Sequence, residues 1–457
     1  ISGLSFFCCA CRALTLHDGW LNLSQVAQLR CASYKQLPTT PLPCRLILVI
    51  GLLLQSAAAQ TAQLEVLIAE ALSRHPRLEA LSALATAQRH AERPAAALPD
   101  PHLRFDLLNV PLGKWDTDSS PMSGRQLGLS QSLPWPGRRE AERQLASTRT
   151  QIAEARTEDE AARLVEAVKQ AYLELVFVDQ ALAITARNQD LIRDYVRMAQ
   201  TKYAVGTGRQ QDILKAQLFL SSLGDRLLSL HARRDVAEAR LNALRSRAIG
   251  TPIASASMTP ATHLDYGLAD LTQMAIASRP ALAELRWERE HWKAAEHLAK
   301  LAARPNFDFS VAYRQRSFEE DAVAGRDFLS AGVAVRLPLW RAEREHEQAA
   351  EAQQRQRAAS AEVEALRLQI ELGLQELLVK ARLHRDQMEL LRQAILPQAE
   401  QALTAAIAGY RVDHVDFGTL LDSQVAVQQY EIQMHHHHIN YEKTLASLEA
   451  LVGVRLF

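Results

Sequence analysis

Cysteine is absent from most of this 457-residue chain. All five cysteines lie before residue 45, at Cys8, Cys9, Cys11, Cys31 and Cys44. Residues 46–54 are a short apolar run behind Arg45, and small residues follow as far as Ala59. This pattern is typical of a secretory signal peptide. We therefore predict that residues 1–59 are an upstream extension plus signal peptide, and that the mature chain works without cysteine in an oxidising compartment.

Long apolar runs, an excess of charge and catalytic motifs are also lacking. The run at 46–54 is less than half of the roughly 20 residues that a transmembrane helix needs. Lys and Arg number 52, as do Asp and Glu, so the concentrated positive charge that marks nucleic-acid binding is missing. No Gly-x-Ser-x-Gly, His-Glu-x-x-His or Gly-rich phosphate loop occurs. We expect neither an enzyme nor a cofactor.

Glycine and proline are both absent from residues 138–205. Good helix formers dominate this stretch, which at 1.5 Å per residue predicts a helix of about 100 Å. Its apolar residues recur at alternating spacings of four and three, a heptad seam that favours near-parallel helical neighbours. They are Leu164, Val168, Ala171, Leu175, Val178 and Leu182. A second such stretch runs from Arg341 to about Ala408, interrupted at Gly373 and at Pro397, where we expect a kink or a phase shift.

The two halves of the chain repeat one another. Leu133-Pro134 corresponds to Leu337-Pro338 at an offset of 204 positions, whereas Tyr203 corresponds to Tyr410 at an offset of 207. The second long helix should therefore carry about three extra residues. We predict two copies of helix–strand–strand–helix–helix, at 60–250 and 267–457, joined by a linker at 251–266.

Four segments alternate apolar and polar residues with the period of a strand. They lie at about 102–108, 125–133, 306–314 and 328–337, and Trp115, Trp135 and Trp340 flank them. Their length suits tilted strands of a membrane barrel. Four strands are too few to close a barrel, and open edges are not tolerated in lipid, so several chains must share one. The alternatives are soluble hairpins on a helical domain and a periplasmic coiled-coil scaffold without a pore.

Over residues 60–457 the chain resembles the TolC family of outer-membrane efflux ducts. Four local motifs carry the resemblance together with the duplication: Leu72-Ser73-Arg74-His75-Pro76-Arg77-Leu78, Tyr203-Ala204-Val205-Gly206-Thr207, Ile395-Leu396-Pro397-Gln398-Ala399 and Leu420-Leu421-Asp422-Ser423-Gln424. The resemblance implies a mainly helical homotrimer with a 12-stranded barrel in the outer membrane of a Gram-negative bacterium. It also implies a periplasmic tunnel, a periplasmic adaptor and an inner-membrane pump such as an RND transporter.

Two further segments, 98–101 and 131–138, are similar to the heavy-metal (CusC/CzcC-like) branch of that family. The resemblance therefore implies export of heavy-metal cations. A duct for drugs or secreted polypeptides is the alternative, since related ducts share both segments.

The turn between the first long helix and its successor is the first candidate site. Its residues are Val205, Gly206, Thr207 and Gly208, and two glycines permit a tight reversal with positive φ. The resemblance implies that this turn contacts the adaptor; the alternative is a simple helix–helix connection. The second turn departs from the pattern, since Asp413-His414-Val415 replaces the glycine-containing residues.

Three carboxylates, Asp212, Asp416 and Asp422, are candidates for a gate. The resemblance places Asp422 and its counterpart Asp212 near the tunnel entrance, with Asp416 close enough to add charge. In a trimer each becomes a ring of three, which favours cations. The alternative for Asp422 is a carboxylate that stabilises a helix start.

Four consecutive histidines at 435–438 suggest metal binding. Successive residues step about 100° around a helix, so only His435 and His438 share a side. These two are the candidate ligands; the alternative is a solvated helical segment.

Overall fold

The computed structural model describes residues 63–113, 117, 120–255, 258, 260–320 and 325–457. The extension and signal peptide predicted for residues 1–59 lie outside them, as does Trp115. All described residues belong to one compact unit, so the two repeats pack as a single body.

Each repeat has the order helix, helix, strand, strand, long helix, helix. The first contains α1 (helical over the described residues 63–74), α2 (Pro76–Ala95), β1 (His102–Leu108), β2 (Gly124–Leu133), α3 (Arg138–Ala204) and α4 (Gln210–Leu244). The second contains α5 (Leu268–Ser278), α6 (Pro280–Ala302), β3 (Asn306–Gln315), β4 (Phe328–Arg336), α7 (Glu345–Leu390), a π-helical segment (Leu391–Ile395), α8 (Leu396–Arg411) and α9 (Phe417–Val452). The predicted fold class, mainly helical with a duplicated order, is confirmed. Each repeat, however, begins with two helices where one was predicted, because Pro76 and Pro280 each start a new helix.

The two long helical runs are equally long, which corrects one prediction. α3 spans 67 residues, or about 100 Å, and the run from Glu345 to Arg411 is displaced from it by 207 positions at both ends. The three extra residues of the second repeat therefore lie in the junction between β4 and α7, not in the helix. A junction accepts them at little cost, whereas an insertion of three residues in a heptad seam would rotate every later contact.

Gly373 does not interrupt the second run, contrary to prediction. α7 continues through it, and a Cβ at this position would lie 3.0 Å from Leu451 of α9. Glycine is used here for close helix packing. Pro397 acts as predicted: since its ring cannot accept the normal i−4 geometry, a π-helical segment precedes it and shifts the helical phase.

The heptad seam of α3 forms the centre of the helical core. Five of its six predicted residues are buried, and Leu182 packs against them from a half-buried position. α3 packs against α2, α4, α6 and α9, while α7 packs against α6 and α9. The long helices therefore pack side by side and not around a globular centre.

The sheet has the order β1-β2-β3-β4, and all neighbouring strands are antiparallel. The β2–β3 pair joins the two repeats. In cross-strand register, Phe105, Leu127, Tyr313 and Leu329 form one row on a single face. The opposite face carries rows such as Arg104, Gly128, Ala312 and Ser330, so one face is apolar and the other is small or polar.

The apolar face of the sheet is uncovered. Its large side chains are exposed on all four strands: Leu103, Phe105, Leu107, Leu127, Leu129, Phe309, Val311, Tyr313, Leu329, Val333 and Val335. Among the described residues, the outer edges of β1 and β4 have no strand partner. An exposed apolar face is stable in contact with an apolar medium, and the two open edges can pair with further strands.

In the part of the chain that the structure describes, no helix combines the length and the apolar character needed to cross a membrane.

Candidate functional site

The first candidate site is the turn that joins α3 to α4. The carbonyl of Lys202 accepts hydrogen bonds from the amides of Thr207 and Gly208, at 3.0 and 2.9 Å. Gly206 stands at φ +81°, the left-handed conformation that ends many helices. A side chain at Gly206 would meet no atom within 4 Å, so this position faces open space at the tip of the hairpin.

Gly208 is needed for a different reason from the one predicted. Its φ is not positive; instead, a Cβ there would lie 2.7 Å from the Tyr203 amide nitrogen and 2.9 Å from Lys202. From the sequence, both glycines are expected to permit a positive φ. In the structure, Gly206 supplies the left-handed conformation and Gly208 supplies room for the returning chain.

The second turn, between α8 and α9, builds the same reversal without glycine at its tip. Asp413, displaced from Gly206 by 207 positions, takes φ +62°, which aspartate tolerates better than most residues. The carbonyl of Gly409 accepts hydrogen bonds from His414 at 2.9 Å and from Val415 at 3.3 Å. The departure in sequence therefore leaves the backbone of the turn intact.

Lys202, at the end of α3, links the first turn to the second through its side chain. Its ammonium group donates to the Tyr410 carbonyl and to the Asp413 carboxylate, and lies 4.4 Å from the centre of the Tyr410 ring. The sequence does not reveal this contact, because no local pattern links residues 208 positions apart. The two repeats consequently present their turns side by side at one end of the molecule.

The three candidate gate carboxylates have different surroundings. Asp212 is half-buried in the first turn of α4. Burial raises the pKa of the Tyr410 phenol, and the negative charges of Asp212 and Asp413 raise it further. Asp212 therefore lies close to the junction of the two turns.

Asp416 is the N-cap of α9. Its carboxylate accepts from the Thr419 amide at 2.6 Å, and this bond lowers the pKa of Asp416, as do the charges of Lys215 and Arg209. An aspartate just before a helical segment is a capping signal that the sequence already contained.

Asp422 lies six residues further along α9 and is exposed, and among the described residues its carboxylate has no hydrogen bond or ion pair. The capping function considered for Asp422 thus belongs to Asp416. The Asp212 carboxylate likewise has no hydrogen bond or ion pair among the described residues, and Asp422 is the more exposed of these two side chains.

The histidines at 435–438 point in different directions, as their helical spacing requires. His435 contacts the Met258 sulfur at 3.0 Å, and His438 lies 3.8 Å from a Glu442 oxygen. The ring of His436 meets Phe177 of α3 edge-on. The Nδ1 of His437 lies 3.3 Å from the Nδ1 of His384 on α7.

Burial lowers the pKa of all five imidazoles, those of the run and that of His384. Over the described ranges, no cluster of three or more His, Cys, Asp or Glu side chains could hold a metal ion. Of the predicted pair, His435 contacts Met258 and His438 faces Glu442.

A buried polar chain lies near the turns, between α3 and α9. The Tyr195 hydroxyl donates to Gln424 at 3.0 Å, and the Gln424 amide donates to Asn188 at 2.7 Å. All three side chains are buried. Since buried polar groups are costly without partners, this chain fixes the register of α9 against α3.

Replacing Gln424 with leucine should therefore destabilise the helical part of the protein. The Tyr195 hydroxyl and the Asn188 oxygen would both lose their partner, at a cost of about 2–4 kcal/mol in the free energy of unfolding. Thermal unfolding followed by far-UV circular dichroism measures the loss. The matched control is Gln217→Leu: Gln217 corresponds to Gln424 in the first repeat but is exposed, so it should change stability little. Equal losses in the two variants would contradict the account.

The comparisons with known proteins agree with this geometry. A family model described as "outer membrane efflux protein" matches residues 54–246. No protein of curated function matches the chain.

Several solved structures share the fold. The outer membrane protein VceC from Vibrio cholerae is 18% identical with a TM-score of 0.70, over 86% of this chain and 96% of that one. CusC, described as forming a transmembrane channel, is 16% identical with a TM-score of 0.72, over 86% and 92%. The open state of the Neisseria gonorrhoeae MtrE outer membrane channel is 16% identical with a TM-score of 0.67, over 86% and 89%.

Proposed function

We propose that the chain is a member of the outer membrane efflux protein (TolC) family, whose model matches residues 54–246, and that it is the exit duct of a tripartite efflux system. It is a passive outer-membrane channel and not an enzyme. In the proposal, an inner-membrane pump such as an RND transporter delivers the substrate and a periplasmic adaptor joins pump and duct. The observation that carries the proposal is the exposed apolar sheet at one end of helical rods about 100 Å long.

Three copies of the chain would share one barrel of 12 strands. The support is the pair of open edges on β1 and β4, because lipid does not tolerate unpaired backbone groups. The apolar face would meet lipid, and the face with Gly128, Ala312 and Ser330 would line the lumen. Trp135 and Trp340 follow β2 and β4 at the helical end of the sheet, where an interfacial aromatic girdle belongs.

A second surface that supports assembly is an exposed apolar stripe on α7. Its members recur at spacings of four and seven: Leu368, Leu372, Val379, Leu383 and Leu390. The buried residues of α7, including Leu374, Leu378 and Ala381, point to the opposite side. α7 is thus apolar on two faces, and the proposal assigns the outer face to a neighbouring copy.

The turn of residues 205–208 would dock the adaptor. It is narrow, Val205 is exposed, and Gly206 leaves room for close approach from outside. The turn at Asp413 lies beside it through Lys202 and would form the second part of the same tip.

Asp422 would provide the charge of a cation-selective ring near the entrance. Replacing Asp422 with asparagine should lower the preference for cations in single-channel recordings and weaken block by multivalent cations, because three carboxylates in a narrow throat concentrate the field. The matched variant is Asp416→Ala, which removes the α9 cap and should lower the thermal midpoint with little effect on selectivity. Unchanged selectivity in Asp422→Asn would remove Asp422 from the gate.

The proposed substrate is a heavy-metal cation, supported by the two segments similar to the heavy-metal branch. A drug or a polypeptide is the alternative. Cells that lack this gene should accumulate more zinc or copper and grow more poorly with added metal, while their sensitivity to lipophilic drugs stays unchanged. Restoring the gene should reverse both effects. Increased sensitivity to drugs alone would favour the alternative.

A further inference from the structure

His384 and His437 form a pair that the proposed function does not use. They lie on different helices, α7 and α9, and their Nδ1 atoms are 3.3 Å apart, with ring centres 5.6 Å apart. Both side chains are half-buried. The pair brings together two good metal ligands that are 53 positions apart in the chain.

The distance between the two nitrogens suits a shared metal better than a strong hydrogen bond. Hydrogen bonds between nitrogen and an acceptor are most often about 2.9–3.0 Å long. Two Zn–N bonds of about 2.05 Å that end on nitrogens 3.3 Å apart would subtend about 107° at the metal. That angle is close to tetrahedral, the geometry that protein-bound zinc prefers.

The scaffold around the pair is firm. α7 and α9 pack through a hydrophobic cluster that includes Ala381 and Tyr441. His384 follows Ala381 by one turn, and His437 precedes Tyr441 by one turn. Rigid helices on both sides hold the ligands in place, which a binding site requires.

The neighbouring histidines have other contacts. Asn440 lies 3.2 Å from His436 Nε2, and the His436 ring packs on Phe177. His435 contacts Met258, and His438 faces Glu442. The site therefore has two protein ligands, and water would complete the coordination.

We propose that His384 and His437 bind a transition-metal ion that favours imidazole, such as Zn²⁺, and that the ion links α7 to α9 within each chain. Imidazole is a good ligand for zinc, copper and nickel. This ion would be held within the helical wall, so its binding does not depend on which substrate the duct exports.

The test uses the full chain, purified in detergent from outer membranes with an affinity tag that contains no histidine. Equilibrium dialysis against Zn²⁺ should find one ion per chain, and His384→Ala and His437→Ala should each lower its affinity by about tenfold or more, since even the loss of an outer-shell partner costs that much. His435→Ala and His438→Ala are the matched controls, since they change the same run but should keep the ion. Thermal midpoints without metal verify that each variant is folded.

Co²⁺ provides a second readout that does not depend on any variant. Bound to the unaltered protein, it should give the intense visible absorption of tetrahedral cobalt, and Zn²⁺ should displace it. Zinc should also raise the thermal midpoint of the unaltered protein and of His435→Ala, but not of His384→Gln. Absence of tetrahedral cobalt bands, or equal loss of zinc in all four alanine variants, would overturn the proposal and leave the pair as a hydrogen bond.

Discussion

Replacing Gly206 with tryptophan is expected to abolish export while the protein still assembles and reaches the outer membrane. The indole would project into open space at the tip of the first turn, because no atom of the chain lies within 4 Å of a Cβ there. Its bulk would obstruct the adaptor that we propose docks at this turn. The measurement pairs the export rate of whole cells with the amount of assembled protein in the outer membrane.

The backbone strain of this change needs its own control. Gly206 has φ +81°, so any side chain there costs about 1–2 kcal/mol. Asparagine adopts the left-handed conformation more readily than most other residues, and Asp413 already holds the corresponding position of the second turn at φ +62°. The asparagine variant should therefore retain most export. Full export by the tryptophan variant would reduce this turn to a connection between helices.

Placing glutamate at both Leu372 and Val379 is expected to prevent assembly into trimers. Both side chains belong to the exposed stripe of α7, and each apolar side chain that is buried contributes about 1.5–3 kcal/mol. The change would be repeated in every copy, and each glutamate would also bring an unpaired charge into an apolar contact. Assembly is measured by cross-linking in cells and by the mass of the detergent-solubilised protein.

Lys380→Glu is the matched control for charge. Lys380 is exposed on the same helix but lies outside the stripe, about 100° around the helix from Val379. It should assemble normally. Trimers that survive the double glutamate change would show that this face of α7 is not an interface between copies.

Features that depend on local periodicity could be predicted from the sequence. The seam from Leu164 to Val178 is buried in the structure because a period of 3.5 fixes one face of a helix wherever its neighbours lie. The strands follow from alternation in the same way. Pro397 predicted an irregularity in the second long helix, because a proline ring excludes the normal helical hydrogen bond.

Features that depend on contacts between distant residues could not be predicted. The bond of Lys202 to Asp413, and the approach of His384 to His437, arise from the packing of long helices, which no short motif encodes. Gly373 shows the same limit: glycine weakens an isolated helix, but here it admits Leu451 at close range. The position of the three extra residues could not be predicted either. The offset between the repeats is 204 at Leu133 and 207 at Tyr203, so the insertion could lie anywhere between these two positions.

The central claim is that several copies of this chain build one channel, and a measurement on the reconstituted protein tests it most directly. Detergent-solubilised protein would first be sized by light scattering coupled to chromatography, and the same fraction would then be inserted into a planar lipid bilayer. The account predicts a particle with the mass of three chains that gives discrete single-channel conductance steps. A folded monomer that is stable without detergent and conducts no ions would contradict it.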